Sequence, residues 1–170
     1  MSKINGIYAA SVSVLDKELN LDVDKTIKHA ENLILQGCHG VVIFGSTGQA
    51  QLISVSEKIK LIEKLSKNKF KNNFIIGTGF NSLKETISFL NVCKNFNFEN
   101  FLIMPPAYYF YTDNDAIKFY SEIIKIHPWC KIILYNFEKL CGYKFSVECV
   151  EELVKNYPDQ MIGVKDSTYN

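Results

Sequence analysis

An α/β fold, with parallel strands sheathed by helices, follows from three features of this chain. Six apolar runs recur about every 30 residues and alternate with amphipathic stretches, the rhythm of repeated strand–helix units. Runs such as Val41-Val42-Ile43-Phe44 and Phe101-Leu102-Ile103-Met104 are apolar at every position, which suits parallel strands covered on both faces. The unusual residues fall just after strands two, four, five and six, around one rim. Two architectures fit the alternation. An open doubly wound sheet would be complete with five or six strands, whereas a closed eight-stranded barrel needs about 250 residues. No G-x-G-x-x-G follows the first run and no Walker-type G-x-x-x-x-G-K-S/T occurs, so nucleotide-binding open sheets lose their best support. Chemistry on one rim is the habit of the TIM (β/α)8 barrel. The pattern therefore leans toward a truncated barrel with only the first six βα units present.

Taken in order, the first apolar run is Gly6–Val14, followed by a helix from Asp22 to Gln36 that Gly37 is placed to stop. Gly40–Phe44 is the second strand, and Gly45-Ser46-Thr47-Gly48-Gln49 makes a tight turn. Ser54-Val55-Ser56-Glu57 fits a capping box that opens the second helix. The third strand, Phe74–Gly77, leads to a helix opened by Ser82-Leu83-Lys84-Glu85, a second capping box. Phe101–Met104 is the fourth strand, and Pro105-Pro106 cannot continue its ladder. Asp113 starts the fourth helix, Lys131–Tyr135 forms the fifth strand, and Ser146 opens the fifth helix. Met161-Ile162-Gly163-Val164 reads as a buried sixth strand, with Lys165 where it leaves the core.

Composition narrows the function classes. The chain of 170 residues is 47% hydrophobic and 22% charged, with a net charge of +1, ordinary values for one globular domain. No basic or acidic block points to nucleic acid or a membrane surface as partner. All nineteen basic residues are lysine, so the planar arginine fork that grips a carboxylate is missing here. Five cysteines, odd in number and never spaced C-x-x-C, suggest reduced thiols in the cytoplasm rather than disulfides or a metal site. Met1-Ser2-Lys3-Ile4-Asn5-Gly6 lacks the apolar stretch of a signal peptide. His29 reads as a helix-surface residue, and His39 and His127 as loop residues.

The rim offers Ser46 and Thr47 after strand two, Tyr108 and Tyr109 after strand four, Tyr135 at the end of strand five and Lys165 at the end of strand six. A lysine amine can attack a ketone and form a Schiff base that acts as an electron sink. It must be uncharged to do so, and burial at a barrel mouth disfavours a charged amine. A phenol at the same centre can shuttle protons. Without arginine, backbone amides of a Ser-Thr-Gly turn can hold a carboxylate, helped by the positive end of the helix that follows. Each residue also has a plainer reading. Ser46 and Thr47 could merely shape a turn, Tyr108 and Tyr109 could be interface or core aromatics, Tyr135 could be a half-buried strand end, and Asn136 reads as structural.

Gly45-Ser46-Thr47-Gly48, Pro105-Pro106-Ala107-Tyr108-Tyr109, Leu134-Tyr135-Asn136 and Gly163-Val164-Lys165-Asp166-Ser167 together resemble the dihydrodipicolinate synthase/N-acetylneuraminate lyase family. Gly37-Cys38-His39-Gly40-Val41-Val42 matches as well, and the resemblance covers essentially the whole chain. It implies a class I, Schiff-base, pyruvate-dependent aldolase or lyase in which Lys165 forms the imine. Tyr135 would move the protons, with Ser46 and Tyr108 completing the relay; in relatives that tyrosine reaches into the neighbouring subunit. Ser46, Thr47 and Gly48 would hold the pyruvate carboxylate. The resemblance implies no cofactor beyond the covalent lysine imine, no metal, and two small-molecule partners, a keto acid (pyruvate) and an aldehyde. It implies a homodimer or homotetramer at full length.

Departures from the family pattern narrow the branch. Gln49 replaces the acid that ends the turn motif, Glu138 replaces a proline, and Tyr169-Asn170 replaces a small residue followed by an acid. Leu140 stands where the synthase branch carries an arginine for its aldehyde's carboxylate. With Ser46 in place of threonine, it resembles the sugar-acid lyase branch, which acts on 2-keto-3-deoxy sugar acids. The alternatives are 4-hydroxy-tetrahydrodipicolinate synthase, joining pyruvate to aspartate semialdehyde, and a non-catalytic fragment acting as an assembly partner. On this reading residues 1–170 form a single incomplete (β/α)8-barrel domain, the N-terminal part of a longer enzyme.

Overall fold

A computed structural model describes residues 4–168, so Met1–Lys3 and the Tyr169-Asn170 departure lie outside the described residues. The chain divides into two units, one of residues up to Gly79 with Val92–Phe98, the other of Phe80–Asn91 with residues from Glu99 onward. Helix α3 (Leu83–Asn95) belongs in sequence to both.

In the first unit, strands β1 (Tyr8–Ala10), β2 (Gly40–Ile43) and β3 (Phe74–Gly77) pair in parallel and in chain order. Ala9 lies opposite Val41 and Val42 opposite Ile75. Every residue of β2 and β3 is buried, as their unbroken apolar runs require. Helix α1 (Val23–Leu35) starts where the Asp22 side chain accepts the Lys25 amide. It buries Ile27 and Ala30 and ends before Gly37, whose φ of +108° is one that few other residues adopt. Helix α2 (Val55–Leu65) carries the predicted Ser54/Glu57 capping box and buries Leu61, Ile62 and Leu65. Each such side chain withdrawn from water contributes roughly 1.5–3 kcal/mol.

The first strand is shorter than Gly6–Val14. Ser11 still donates its amide to the Val42 carbonyl, but Leu15 then bridges antiparallel to Leu21. The Asp16 carboxylate accepts the amides of Glu18 and Asn20 and folds the chain back on itself. That local turn competes with the ladder and wins.

The second unit repeats the pattern. Strands β4 (Asn100–Ile103), β5 (Lys131–Asn136) and β6 (Met161–Asp166) are again parallel and in chain order. Helix α4 (Asp113–Ile126) opens on a Thr112/Asp115 capping box. Its Tyr120 is fully buried and donates its hydroxyl to the Ile103 carbonyl over 2.8 Å, so burial leaves no polar penalty there. Ser82 accepts the Glu85 amide at the start of α3, as its motif predicts. A short helix α5 (Glu138–Cys141), which the sequence reading lacks, precedes α6 (Val147–Asn156), capped by Ser146. His127 is in a loop as expected but buried, its Nε2 3.0 Å from the Ile87 carbonyl oxygen.

The expectation of a buried sixth strand is corrected. Met161 is buried, but Ile162 is 40% and Val164 46% exposed. Among the described residues β6 pairs only with β5, so it is an edge whose outward side chains face solvent. All five cysteines are free thiols, four of them buried. Among the described residues no helix is long and apolar enough to cross a membrane.

Candidate active site

In the second unit, β5 and β6 set Tyr135 directly opposite Lys165. Adjacent parallel strands in register present opposed residues to the same face. The Lys165 Nζ therefore stands 4.1 Å from the centre of the Tyr135 ring, a cation–π contact. The same Nζ donates to the Ser167 hydroxyl at 2.8 Å. Tyr135 is only 4% exposed, and its ring also lies 5.8 Å from that of Phe137. Lys165 is half-buried. An amine, a phenol and a hydroxyl thus converge where two strands leave the sheet.

Asn136 secures that convergence. Its Nδ2 donates to the Asp166 carboxylate at 3.0 Å, and its backbone carbonyl accepts the Ser167 amide at 2.9 Å. Its Oδ1 accepts the Phe145 amide, so the residue is structural, as its sequence reading holds. Thr168 donates both amide and hydroxyl to the Asp166 carboxylate. Asp166, Ser167 and Thr168 are therefore each held by a hydrogen bond.

Tyr108 is not drawn into this cluster. It is 86% exposed, adopts a φ of +86°, and meets Tyr109 edge-on at 5.1 Å between ring centres. Tyr109 and Phe110 are exposed too, so the core reading of these aromatics is excluded. Leu140 is half exposed on α5, and Glu138 opens that helix.

The first unit holds the other predicted group, Ser46, Thr47 and Gly48. The Gln49 amide closes the turn onto the Ser46 carbonyl, and the Ala50 amide onto that of Gly45. That closure does not consume the amides of Thr47 and Gly48. Ser13 donates its hydroxyl to the Gly48 carbonyl at 2.6 Å, pinning the turn from the segment after β1. Ser46 is half-buried and Thr47 exposed. Gln49 takes the left-handed conformation at φ +51° and caps a single 3-10 turn, Ala50–Leu52. Helix α2 then starts at the Ser54–Glu57 capping box, as its sequence motif predicts.

Two participants escaped the sequence reading. Ser167 lies two residues beyond Lys165, the spacing that returns a side chain to the same face of an extended segment. Lys58 is fully buried in α2 and donates to the Thr78 carbonyl at 2.7 Å; nothing local marks it among nineteen lysines.

A sequence profile described as the Dihydrodipicolinate synthetase family matches residues 3–170. The 4-hydroxy-tetrahydrodipicolinate synthase of Karelsulcia muelleri is 28% identical over 173 residues, covering 100% of this chain and 57% of that protein. The N-acetylneuraminate lyase of Clostridium perfringens is 30% identical over 166 residues, covering 95% of this chain and 56% of its own length. The crystal structure of dihydrodipicolinate synthase from Agrobacterium tumefaciens superposes with a TM-score of 0.90 at 25% identity, over 97% of this chain and 59% of that one. This chain thus spans a little over half the length of these relatives, which include both a synthase and a lyase. The match spans residues of both units, and the chain belongs to the dihydrodipicolinate synthetase family.

Proposed function

We propose that this chain carries the imine-forming part of a class I, pyruvate-dependent aldolase or lyase, acting on a 2-keto-3-deoxy sugar acid. The observation that carries the reading is the Lys165 amine 4.1 Å from the centre of the buried Tyr135 ring, on paired strands in register. Lys165 Nζ adds to the C2 carbonyl carbon of the keto acid. The carbinolamine oxygen gains a proton from the Tyr135 hydroxyl and leaves as water, giving the imine. Electrons from the C3–C4 bond then flow into that imine as the substrate's C4 hydroxyl loses its proton and an aldehyde departs. Reprotonation at C3 and hydrolysis return pyruvate and the free amine.

Ser46 and Tyr108 complete the proton relay in this reading, and Ser46, Thr47 and Gly48 hold the pyruvate carboxylate through the turn. The solvent exposure of Tyr108 supports a role toward the neighbouring subunit of a homodimer or homotetramer. The reaction requires no cofactor beyond the lysine, and we place it in the cytoplasm. Matches to 56–59% of the relatives' length support reading residues 1–170 as one incomplete barrel domain, the first six units of a longer enzyme.

Borohydride added with pyruvate should fix a mass adduct on Lys165 in the full-length polypeptide, absent from Lys165→Ala. No adduct in the wild type would overturn the reading and leave a non-catalytic assembly partner in its place. A second reading, condensation of pyruvate with aspartate semialdehyde, is favoured by the similarity to the Karelsulcia synthase. Apolar Leu140 argues against it, because an aldehyde carrying a carboxylate finds no charge there. Turnover with that aldehyde would reinstate it.

A further inference from the structure

The buried amine of Lys58 lies outside the imine chemistry, and it sits at a costly place. It is in the first turn of α2, where the helix dipole disfavours a positive charge, and its exposure is 0%. Burying an ammonium is expensive unless something compensates it. Its Nζ donates to the Thr78 carbonyl at 2.7 Å and lies 5.7 Å from the centre of the Phe44 ring.

One of those neighbours, Phe44, adjoins the Gly45–Gly48 turn. Phe44 precedes the turn and holds a φ of +55°, and Ala50 follows it. On the facing segment, a Cβ on Gly77 would collide with the Phe44 carbonyl group, and one on Gly79 would collide with the Ala50 side chain. Backbone 77–79 therefore abuts both ends of the turn, and Thr78, between the two glycines, is the residue that Lys58 holds.

We propose that Lys58 is a positioning residue for the substrate carboxylate, fixing the turn through Thr78 and contributing a positive charge from its buried side. The inference rests on the keto-acid reading of that turn. A buried, charge-assisted hydrogen bond supports an effect of about 10- to 100-fold on anion binding.

The test compares borohydride trapping of pyruvate and of methyl pyruvate, which keeps the ketone but lacks the negative charge, in the full-length polypeptide. Lys58→Met is expected to raise the pyruvate concentration for half-maximal trapping by about 10- to 100-fold while leaving methyl pyruvate within about threefold. Lys58→Arg, which keeps the charge, should retain most of the preference for pyruvate. Should Lys58→Met fail to fold, Lys58→Gln, which keeps a donor for Thr78 but no charge, reports the same ratio. Unchanged pyruvate trapping, or equal losses for the two ketones, overturns the proposal while the imine reading survives. A wild type that traps neither ketone removes the imine reading and this inference with it.

Discussion

Tyr135 has two separable features, the ring face that meets Lys165 and a hydroxyl. Tyr135→Phe keeps the ring whose centre lies 4.1 Å from the Lys165 amine and removes only the hydroxyl proposed to carry protons. Activity with a keto acid should then fall by about 10²–10⁴-fold, the usual loss when an acid–base group is deleted, with the melting temperature little changed. A variant that turns over normally would remove Tyr135 from the proton pathway. Ser167→Ala tests a smaller role, because it takes away the hydroxyl 2.8 Å from the same amine. Its activity should fall by less than that of Lys165→Ala, and steady-state rates on the two variants check the order. The Lys165–Ser167 spacing could have been read in advance. The cation–π contact could not, because it depends on the register of two strands that are distant in the chain.

At the scale of elements, the helix starts carry much of the second unit's order. Asp113, in the first turn of α4, accepts the Tyr143 hydroxyl at 2.6 Å and the Ser146 hydroxyl at 2.5 Å, tying α4 to the start of α6. The Ser146 bond first, then that of Tyr143, holds the Asp113 carboxyl below the usual carboxylate range. A lowered folded-state pKa contributes stability that is fully present above the unfolded value of about 3.9 and is lost as pH falls through the folded one. Asp113→Asn should therefore destabilise the neutral-pH fold by about 1–3 kcal/mol and flatten the acid limb of a denaturation series. An unchanged acid limb would show that the carboxylate is not coupled to folding. Burial similarly pushes the Tyr143 phenol and the Cys149 thiol up, so both stay neutral and serve as packing and hydrogen-bonding groups. In the first unit, the Leu21 amide first and then the Ser54 hydroxyl hold Glu57 low, linking the hairpin after β1 to α2. Ser54→Ala should cost about 1 kcal/mol in chemical denaturation.

At the scale of the whole molecule, the exposed face of β6 stands out. Ile162 and Val164 present apolar side chains on a strand whose far edge has no partner among the described residues. Such an edge is a template for pairing with another chain. The 170-residue polypeptide on its own should self-associate in light scattering, and the double change Ile162→Lys, Val164→Lys should reduce it. A monodisperse wild-type monomer at high concentration would contradict this. The relatives extend well beyond the length matched here.

The amino-acid order alone determined the parallel α/β alternation and most helix starts, and it singled out Lys165 as a candidate. Capping boxes, glycine stops and unbroken apolar runs are local signals, readable within a few residues of the feature they cause. Tertiary structure alone decided that β1 ends at Ala10, that β6 is an exposed edge, and that Tyr108 points to solvent. It also decided that Lys58 is buried and that Lys165 lies over a tyrosine ring. Those outcomes depend on which distant segments arrive beside each other, and burial and register are properties of that arrival rather than of any residue's own preferences.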